Sequence, residues 1–266
     1  MSYKVLCSDL DGTLLSTKSD VSDFTVAEIS RIKKQLKVLL VSARMPQSMT
    51  YLQKRLAIEE EPIICYNGAL VLNGEEEVFS KTIDFESIER VHYLSHDLGI
   101  QLGLYYNREW FVERTSERVQ KEINYTRTEP IFRPTYETLA DWGSRNCSAH
   151  KIMLMCTKTS ADTIFPLLME QLRGKMNIYR SNDTLIELAP KSVSKLSAIK
   201  LLLSPNESMA DVISFGDNYN DIEMLKNSGL GIAVENARKE VKSIADYVTL
   251  KNTEDGVAHF VKHNLI

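Results

Sequence analysis

Residues 5–14 read Val-Leu-Cys-Ser-Asp-Leu-Asp-Gly-Thr-Leu, a short apolar run that ends in two aspartates and a glycine. The apolar run is typical of a buried strand. Because alternate side chains of an extended segment share a face, Asp9 and Asp11 leave the strand on the same side. Gly12 permits the sharp backbone exit that follows. Two anions this close require a cation or a proton, so the stretch predicts a metal-binding or catalytic site at the strand end.

Two other interpretations of this stretch are an acidic surface turn and a calcium loop. Asp and Gly are ordinary turn formers. The calcium loop of an EF-hand would have Asp or Asn at the position of Thr13 and Gly at that of Leu14. A second acidic cluster, Gly-Asp-Asn-Tyr-Asn-Asp at residues 216–221, also follows an apolar run. This repetition at a second strand end argues against a simple turn.

The two acidic clusters are expected to form one site. In a parallel α/β sheet the loops at the carboxyl ends of the strands converge on the ligand. Asp9, Asp217 and a backbone carbonyl near Asp11 would then supply the hard oxygen ligands that Mg²⁺ prefers. Zinc is not expected, because the cysteines are scattered. They are Cys7, Cys65, Cys147 and Cys156.

Whole-chain properties favour a soluble cytoplasmic enzyme. The 266 residues carry 32 basic and 36 acidic side chains, a net charge of −4 that gives no general attraction to nucleic acid or to an anionic membrane. No uncharged apolar run has the length of a membrane span, and we expect no secretory leader because strand-like sequence begins near the N-terminus. Composition leaves the oligomeric state open.

Alternating strand-like and helix-like segments predict an α/β fold, with a Rossmann-like, doubly wound parallel sheet. We assign residues 1–82 and 188–266 to this core, and residues 83–187 to an inserted α+β domain. The core is predicted to contain strands 3–8, 37–41, 62–66, 211–215, 230–234 and 246–249, helices 23–35, 46–57, 194–203, 219–227, 236–243 and 254–263, and a hairpin of 69–72 with 77–80.

The insertion is predicted to bury its own helices against a mostly antiparallel sheet. Residues 126–146 are expected to be irregular, and Pro166 weakens the start of the last predicted helix. The predicted elements are helices 84–98, 116–124 and 160–173, and strands 100–106, 109–114, 147–156, 175–180 and 184–189.

Four segments in this order resemble the motifs of haloacid dehalogenase-like phosphatases. They are Asp-Leu-Asp-Gly-Thr-Leu at 9–14, Val-Ser-Ala-Arg at 41–44, Ser-Lys at 194–195, and the cluster at 216–221. Residues 66–69, 233–237 and 252–257 are similar to the Cof-type subfamily, whose α/β cap is inserted between the second and third motifs. The insertion at 83–187 matches that cap by position, size and element order.

The resemblance implies a role for each matching residue. Asp9 would be the nucleophile and Asp11 the general acid and base, with Asp9, the Asp11 carbonyl and Asp217 holding Mg²⁺. Lys195 would offset the charge of Asp9 and of the phosphoryl group. Phosphate would bind to Ser42, Ala43, Lys195, Asn220 and Leu10. Asp221 would orient the metal ligands or Lys195.

Alternatives remain for several of these residues. Ser42 could instead cap the helix that begins near Pro46, and Asp217 or Asn218 could cap the helix that follows them. Lys191 and Lys200 compete with Lys195. Arg44 could contact substrate or lock its loop. Ala43 and Leu196 stand where the family often has Gly.

The function implied is a Mg²⁺-dependent phosphomonoesterase that hydrolyses a small metabolite, a sugar phosphate by resemblance, through an aspartyl-phosphate on Asp9. Flavin mononucleotide and pyridoxal phosphate are alternative substrates. A phosphosugar mutase and a non-catalytic phosphometabolite sensor are alternative functions. Candidate cap residues that would recognise the leaving group are Tyr105, Tyr106, Arg108, Trp110, His150 and Arg180.

Overall fold

The computed structural model describes residues 3–265, and the chain divides into two compact units. One unit contains the chain up to Phe79 and from Ser194 onward, and the other is Ser80–Val193. None of the described helices combines the length and apolar character that a membrane crossing requires.

The strands are β1 Val5–Ser8, β2 Lys37–Val41, β3 Ile63–Cys65, β4 Leu70–Asn73, β5 Glu76–Ser80, β6 Gln101–Tyr106, β7 Glu109–Val112, β8 Ile131–Phe132, β9 Lys151–Met155, β10 Met176–Asn182, β11 Leu185–Pro190, β12 Val212–Gly216, β13 Leu230–Ala233 and β14 Tyr247–Val248. The helices are α1 Asp23–Ile32, α2 Gln47–Leu56, α3 Phe85–His96, α4 Glu117–Thr126, α5 Thr135–Arg145, α6 Lys158–Leu172, α7 Lys195–Leu202, α8 Ile222–Asn227, α9 Lys239–Lys242 and α10 Gly256–Asn264.

The first unit is built on an eight-stranded sheet in the order β14-β13-β12-β1-β2-β3-β4-β5. The strands from β14 to β3 are parallel, and β4 runs antiparallel to β3. Central strand β1 pairs with β12 and β2, so Ser8 lies opposite both Phe215 and Leu40. This register brings the carboxyl ends of the three strands to one edge of the sheet. The predicted α/β fold with a parallel sheet is confirmed.

Strand β1 is buried along its whole length, as expected for a central parallel strand covered on both faces. Helix α1 buries Thr25, Ile29 and Ile32, which follow helical spacing, and Ser22 caps it by accepting a hydrogen bond from the Thr25 amide. Helix formation here therefore follows from a local cap and an apolar stripe, both visible in the sequence.

The second unit contains a six-stranded sheet in the order β10-β11-β9-β6-β7-β8. Its pairs are antiparallel except for β7 with β8. One face of the sheet buries Leu102, Leu104, Ile152 and Leu154 in an apolar core with α3, α5 and α6. The unit therefore has a core of its own.

The prediction of an irregular segment at 126–146 is wrong, because this segment contains β8 and α5. Helix α5 buries Thr135, Thr138, Leu139 and Trp142, which are spaced at i, i+3, i+4 and i+7. The pattern was present in the sequence, although its two polar members obscured the apolar face. Burial of the Trp142 ring supplies the packing that stabilises this helix.

Other element boundaries differ from the predictions for local reasons. Helix α6 begins at Lys158 after the Thr157 cap and continues through Pro166. Pro166 is exposed, so the carbonyl that loses its donor can be hydrated. The predicted helices 219–227 and 236–243 shorten to α8 and α9, with turns before each.

Substitution Trp142→Ala is expected to lower the free energy of unfolding by about 3–5 kcal/mol, because it removes a fully buried ring and leaves a cavity. Urea unfolding followed by circular dichroism measures this effect. Tyr136→Ala on the same helix is the matched control, since Tyr136 is 66% exposed and should change stability little. Equal losses in the two variants would contradict the placement of α5.

Candidate active site

Asp9 lies at the carboxyl end of β1, where its amide donates to the Phe215 carbonyl at 3.1 Å. The chain then turns sharply, and the Leu14 amide donates to the Asp9 carbonyl at 3.3 Å. Gly12 adopts φ +83°, and a Cβ there would lie 2.6 Å from Asp217 Oδ2. Glycine is therefore required both by the backbone conformation and by the approach of the second acidic loop.

Lys195 is the first residue of α7, and its amino group lies between two carboxylates. Nζ donates to Asp9 Oδ1 at 2.5 Å and to Asp221 Oδ1 at 2.6 Å. Lys195 is 1% exposed, whereas the rivals Lys191 and Lys200 are exposed. The structure thus places Lys195 in the acidic cluster and leaves the two rivals at the surface.

Asp221 is fully buried and uses both carboxylate oxygens. While Oδ1 accepts from Lys195, Oδ2 accepts from the amides of Asp217 and Asn218 at 2.9 and 3.0 Å. A Cβ on Gly216 would lie 2.5 Å from the Asp221 Cβ, so glycine makes room for this contact. Asp221 therefore holds both Lys195 and the loop that carries Asp217.

Three carboxylates are crowded around Lys195. Ligand oxygens of Asp9, Asp217 and Asp221 all lie within 4.8 Å of one another. Full ionisation would give the four side chains a net charge of −3 + 1 = −2. Oxygen-only donors with excess negative charge suit a hard divalent cation such as Mg²⁺.

The pKa values of this cluster reflect the crowding. Burial raises the pKa of Asp9 well above its usual range, and Lys195 opposes this only in part. Burial, followed by the charge of Asp221, raises the pKa of Asp217 to about 7. Burial alone would lower the pKa of Lys195, but Asp221 and Asp9 raise it above its usual value. The carboxyl groups of Asp9 and Asp217 thus hold their protons more strongly than usual, and a bound cation would relieve the repulsion between them when they ionise.

Ser42 follows β2 and is buried beside this strand end. Its amide donates to the Ile64 carbonyl at 2.9 Å, and its hydroxyl accepts from the Arg44 amide at 3.2 Å. Helix α2 begins at Gln47, with Pro46 at its N-cap position, so Ser42 does not cap it. Ala43 stands outside the residues with positive φ, so the loop does not need glycine at this position.

Asp11 is held by Arg44 in a two-point ion pair. Nε and Nη2 of Arg44 donate to the two carboxylate oxygens of Asp11, each at 2.7 Å. Nη2 also donates to the Lys18 carbonyl at 3.0 Å. Burial alone would lower the pKa of Arg44, but the bonds to Asp11 raise it. Arg44 thus binds the segment that follows β1, through the Asp11 carboxylate and the Lys18 carbonyl.

Asparagines connect the loops around the cluster. Asn220 Nδ2 donates to Asn67 Oδ1 at 2.9 Å, and the Asn67 amide donates to the Ser42 carbonyl at 2.9 Å. Asn236 Nδ2 donates to the Gly12 carbonyl at 2.8 Å, and Asn236 Oδ1 accepts from the Asn252 amide at 2.8 Å. The sequence motifs included Asn67, Asn236 and Asn252 but gave no sign of these partners. These bonds connect the loops that contain Asn220, Asn67 and Ser42, and separately those that contain Asn236, Gly12 and Asn252.

Two histidine pairs have the four-residue spacing of a helical metal site, His92 with His96 on α3 and His259 with His263 on α10. Among residues 3–265, the aspartate cluster is the group of three or more potential ligands that lie close enough to share one ion. The strongest candidate metal site is therefore this cluster, which contains the predicted ligands Asp9 and Asp217 together with Asp221.

Several of the cap residues that were predicted to recognise the leaving group are packed in the interior of the second unit. Tyr105 and Trp110 stack at 5.5 Å with an interplanar angle of 7°, and both are 1% exposed. His150 is fully buried and stacks on Tyr106 at 5.3 Å. Burial lowers the pKa of His150 to about 4. Arg180 pairs with Asp162 at 2.6 Å.

Substitution Lys195→Met is expected to lower the free energy of unfolding by about 3–5 kcal/mol near neutral pH, because two buried carboxylates lose their counter-charge. The loss should shrink as pH falls. The folded variant holds more protons than its unfolded chain, so its stability decreases as pH rises. Urea unfolding at several pH values measures both effects. Lys200→Met, on the exposed side of the same helix, should have little effect; a pH-independent loss in Lys195→Met would contradict the charge argument.

Comparison with known proteins places the chain in a family. A profile of haloacid dehalogenase-like hydrolases matches residues 6–261. A Haemophilus influenzae protein, provisionally named as a phosphatase, is 32% identical to this chain over 265 residues, and the match covers 97% of each chain. The pyridoxal phosphate phosphatase of Escherichia coli is 26% identical, with 100% of each chain covered.

A solved structure shows the same relationship. The crystal structure of a haloacid dehalogenase-like hydrolase from Bacteroides thetaiotaomicron matches with a TM-score of 0.88 and 27% identity, and the match covers 98% of this chain and 99% of that chain. Its fold, the profile match and the four motifs agree. The chain therefore belongs to the haloacid dehalogenase-like hydrolase family, as its motifs predicted.

Proposed function

We propose that this protein is a Mg²⁺-dependent phosphomonoesterase that hydrolyses a small phosphorylated metabolite through an aspartyl-phosphate on Asp9. The observation that carries the proposal is the arrangement of Asp9, which lies at a parallel strand end with Lys195 at 2.5 Å and two further carboxylates within 4.8 Å. The phosphatase names of full-length relatives support this reaction.

The residues present fit a magnesium ion. Asp9, Asp217 and the backbone carbonyl of Asp11 would hold it, since Asp221 already engages Lys195 and two amides. The crowded carboxylates supply hard oxygen donors with excess negative charge, which is the chemistry that Mg²⁺ requires. When bound, the ion would reduce the repulsion between Asp9 and the incoming phosphate.

In the first step an Asp9 carboxylate oxygen attacks phosphorus, and the bond between phosphorus and the ester oxygen breaks. The leaving oxygen takes a proton from Asp11, so the alcohol departs neutral. Lys195 holds the Asp9 carboxylate in one orientation, because Asp221 fixes its amino group from the other side. This orientation favours in-line attack.

In the second step water attacks phosphorus of the aspartyl-phosphate, gives a proton to Asp11, and releases phosphate and free Asp9. Asp11 can exchange protons only when its carboxyl is released from the two Arg44 hydrogen bonds. Arg44 therefore acts as a positioning residue that holds Asp11 between turnovers.

The phosphoryl oxygens would be held by groups that converge at the strand ends. These are the amides of Leu10 and Ala43, the Ser42 hydroxyl, the Lys195 amino group and the Asn220 amide. Asn220 is oriented by its bond to Asn67. Amide and ammonium donors directed at a phosphoryl group stabilise the charge that spreads over its oxygens.

The leaving group is proposed to be a sugar or another small polar metabolite, and residues 83–187 are proposed to act as the cap that recognises it. Pyridoxal phosphate is a second candidate, because a relative covering the full length of the chain is named for it. The negative net charge gives no support for a polyanionic substrate.

Phosphate release is expected with Mg²⁺ on at least one compound of a panel of sugar phosphates and phosphorylated cofactors, and not with EDTA. Asp9→Asn should abolish turnover, since the side-chain amide cannot form the acyl phosphate, while circular dichroism stays unchanged. Asp97→Asn, at an exposed surface, is the matched control. Release of phosphate by Asp9→Asn at the wild-type rate would refute the proposed nucleophile. Transfer of phosphate within the substrate without release would indicate a mutase.

Mg²⁺ is expected to raise the melting temperature more at mildly alkaline than at mildly acidic pH, because Asp217, whose pKa is raised to about 7, must lose its proton to bind the ion. In the metal-free protein this raised pKa makes folding less favourable as pH rises from the ordinary Asp range through 7. Asp217→Asn should therefore raise the metal-free melting temperature at alkaline pH and lose the response to Mg²⁺. Glu223→Gln, at an exposed position of α8, is the control; an unchanged Mg²⁺ response in Asp217→Asn would exclude this ligand.

A further inference from the structure

A cavity of about 540 Å³ lies in the second unit, at the start of β6 and the end of β9. It is lined by Gln101, Arg114, Arg118, Lys121, Met155 and Thr184, among others. All its lining residues belong to Ser80–Val193. Its size is that of a small-molecule site.

The cavity is positively charged. Arg114, Arg118 and Lys121 line it together with a single acidic residue, Glu117. Arg118 makes an ion pair with Glu122 at 3.1 Å through Nη2, and Arg114 lies 3.8 Å from Glu113. Since both pairs lie at partly exposed positions, they leave the guanidinium groups able to bind a further anion.

Two buried polar atoms in the cavity wall lack partners among the described residues. They are Gln101 Oε1 and Arg118 Nε. Gln101 is 6% exposed, and its Nε2 donates to Met155 Sδ at 3.6 Å, a weak acceptor. A buried polar group without a hydrogen bond is costly, and such groups are rare in folded proteins. A ligand in the cavity could pair with both atoms after a rotation of the two side chains, accepting from Arg118 and donating to Gln101.

This cavity shares no residue with the carboxylate cluster, and it lies at the opposite end of β6 from Tyr106, one of the cap residues predicted to recognise the leaving group. Gln101 begins β6, and Tyr106 ends it, a distance of roughly 16 Å along an extended strand. The cavity lies at the Gln101 end, beside Met155 at the end of β9.

We propose that the second unit binds a small hydroxylated anion in this cavity, at a site additional to the phosphatase centre. Arg118, Arg114 and Lys121 would bind the anionic group, and Gln101 Oε1 would accept a hydrogen bond from a ligand hydroxyl. The site follows from the chemistry of its walls alone and does not depend on the reaction proposed for Asp9.

Racemic malate and succinate are matched probes, because they differ by one hydroxyl group and neither is a phosphate ester. Isothermal titration of the full chain should show saturable malate binding, with succinate about tenfold weaker because it leaves Gln101 unpartnered. Gln101→Leu should bind the two probes equally, and Arg118→Gln should weaken both. Arg90→Gln, another exposed helical arginine of this unit, is the control. Asp9→Asn should bind malate like the wild type.

Malate binding that is not saturable, or no tighter than succinate binding, would overturn the proposal. Loss of malate binding in Asp9→Asn but not in Arg118→Gln would also overturn it, since the anion would then occupy the carboxylate cluster. Because binding is measured without turnover, failure here leaves the phosphatase proposal untouched, and absence of phosphatase activity leaves this site untouched.

Discussion

The buried ammonium group of Lys195 is the interaction on which the functional part of this structure depends. It joins Asp9, at the end of the first strand, to Asp221, which is itself tied to two amides of the loop after β12. The parallel pairing of β1 with β12 brings the two loops to the same edge, and the small volumes of Gly12 and Gly216 allow their close approach. A buried ion pair of this kind is stable only when each charge is compensated, so the three residues act as a unit.

The same arrangement makes the site suitable for a reaction in which a carboxylate meets a phosphate, since both groups are anions. One lysine cannot neutralise three neighbouring carboxylates, and the raised pKa values of Asp9 and Asp217 record the remaining excess. A bound divalent ion would relieve that excess and, in the proposed reaction, would make Asp9 available to a phosphate. Asn67, Asn220 and Asn236 hold the surrounding loops through side-chain hydrogen bonds, so the donors are oriented before substrate arrives. Arg44 restrains Asp11 in a similar way, because its guanidinium donates to both carboxylate oxygens.

The sheet of the second unit has an apolar packed face and, at one end of β6, a cavity lined by polar and basic side chains. One face is filled by apolar side chains from α3, α5 and α6. The end of β6 where Gln101 lies instead has polar side chains, three of them cationic, and two buried polar atoms without protein partners. A packed core needs none of these groups, because apolar residues of the same volume would stabilise it better. Their presence is the basis for proposing a ligand site at this end of the sheet, apart from the packed core.

Sequence alone determined the parallel α/β sheet, the strand ends that carry Asp9 and Asp217, and the family, because apolar runs, caps and motif order are local patterns. It favoured Lys195 but left Lys191 and Lys200 as rivals, did not pair Asp11 with Arg44, and missed α5. The Lys195–Asp9 contact spans 186 positions and the Arg44–Asp11 contact 33, so both depend on strand register and helix placement. Helix α5 is stabilised by burial of Trp142 against neighbours such as Phe111. Local sequence sets what each segment can form, and tertiary structure decides which charges meet, because burial and distance fix their energies.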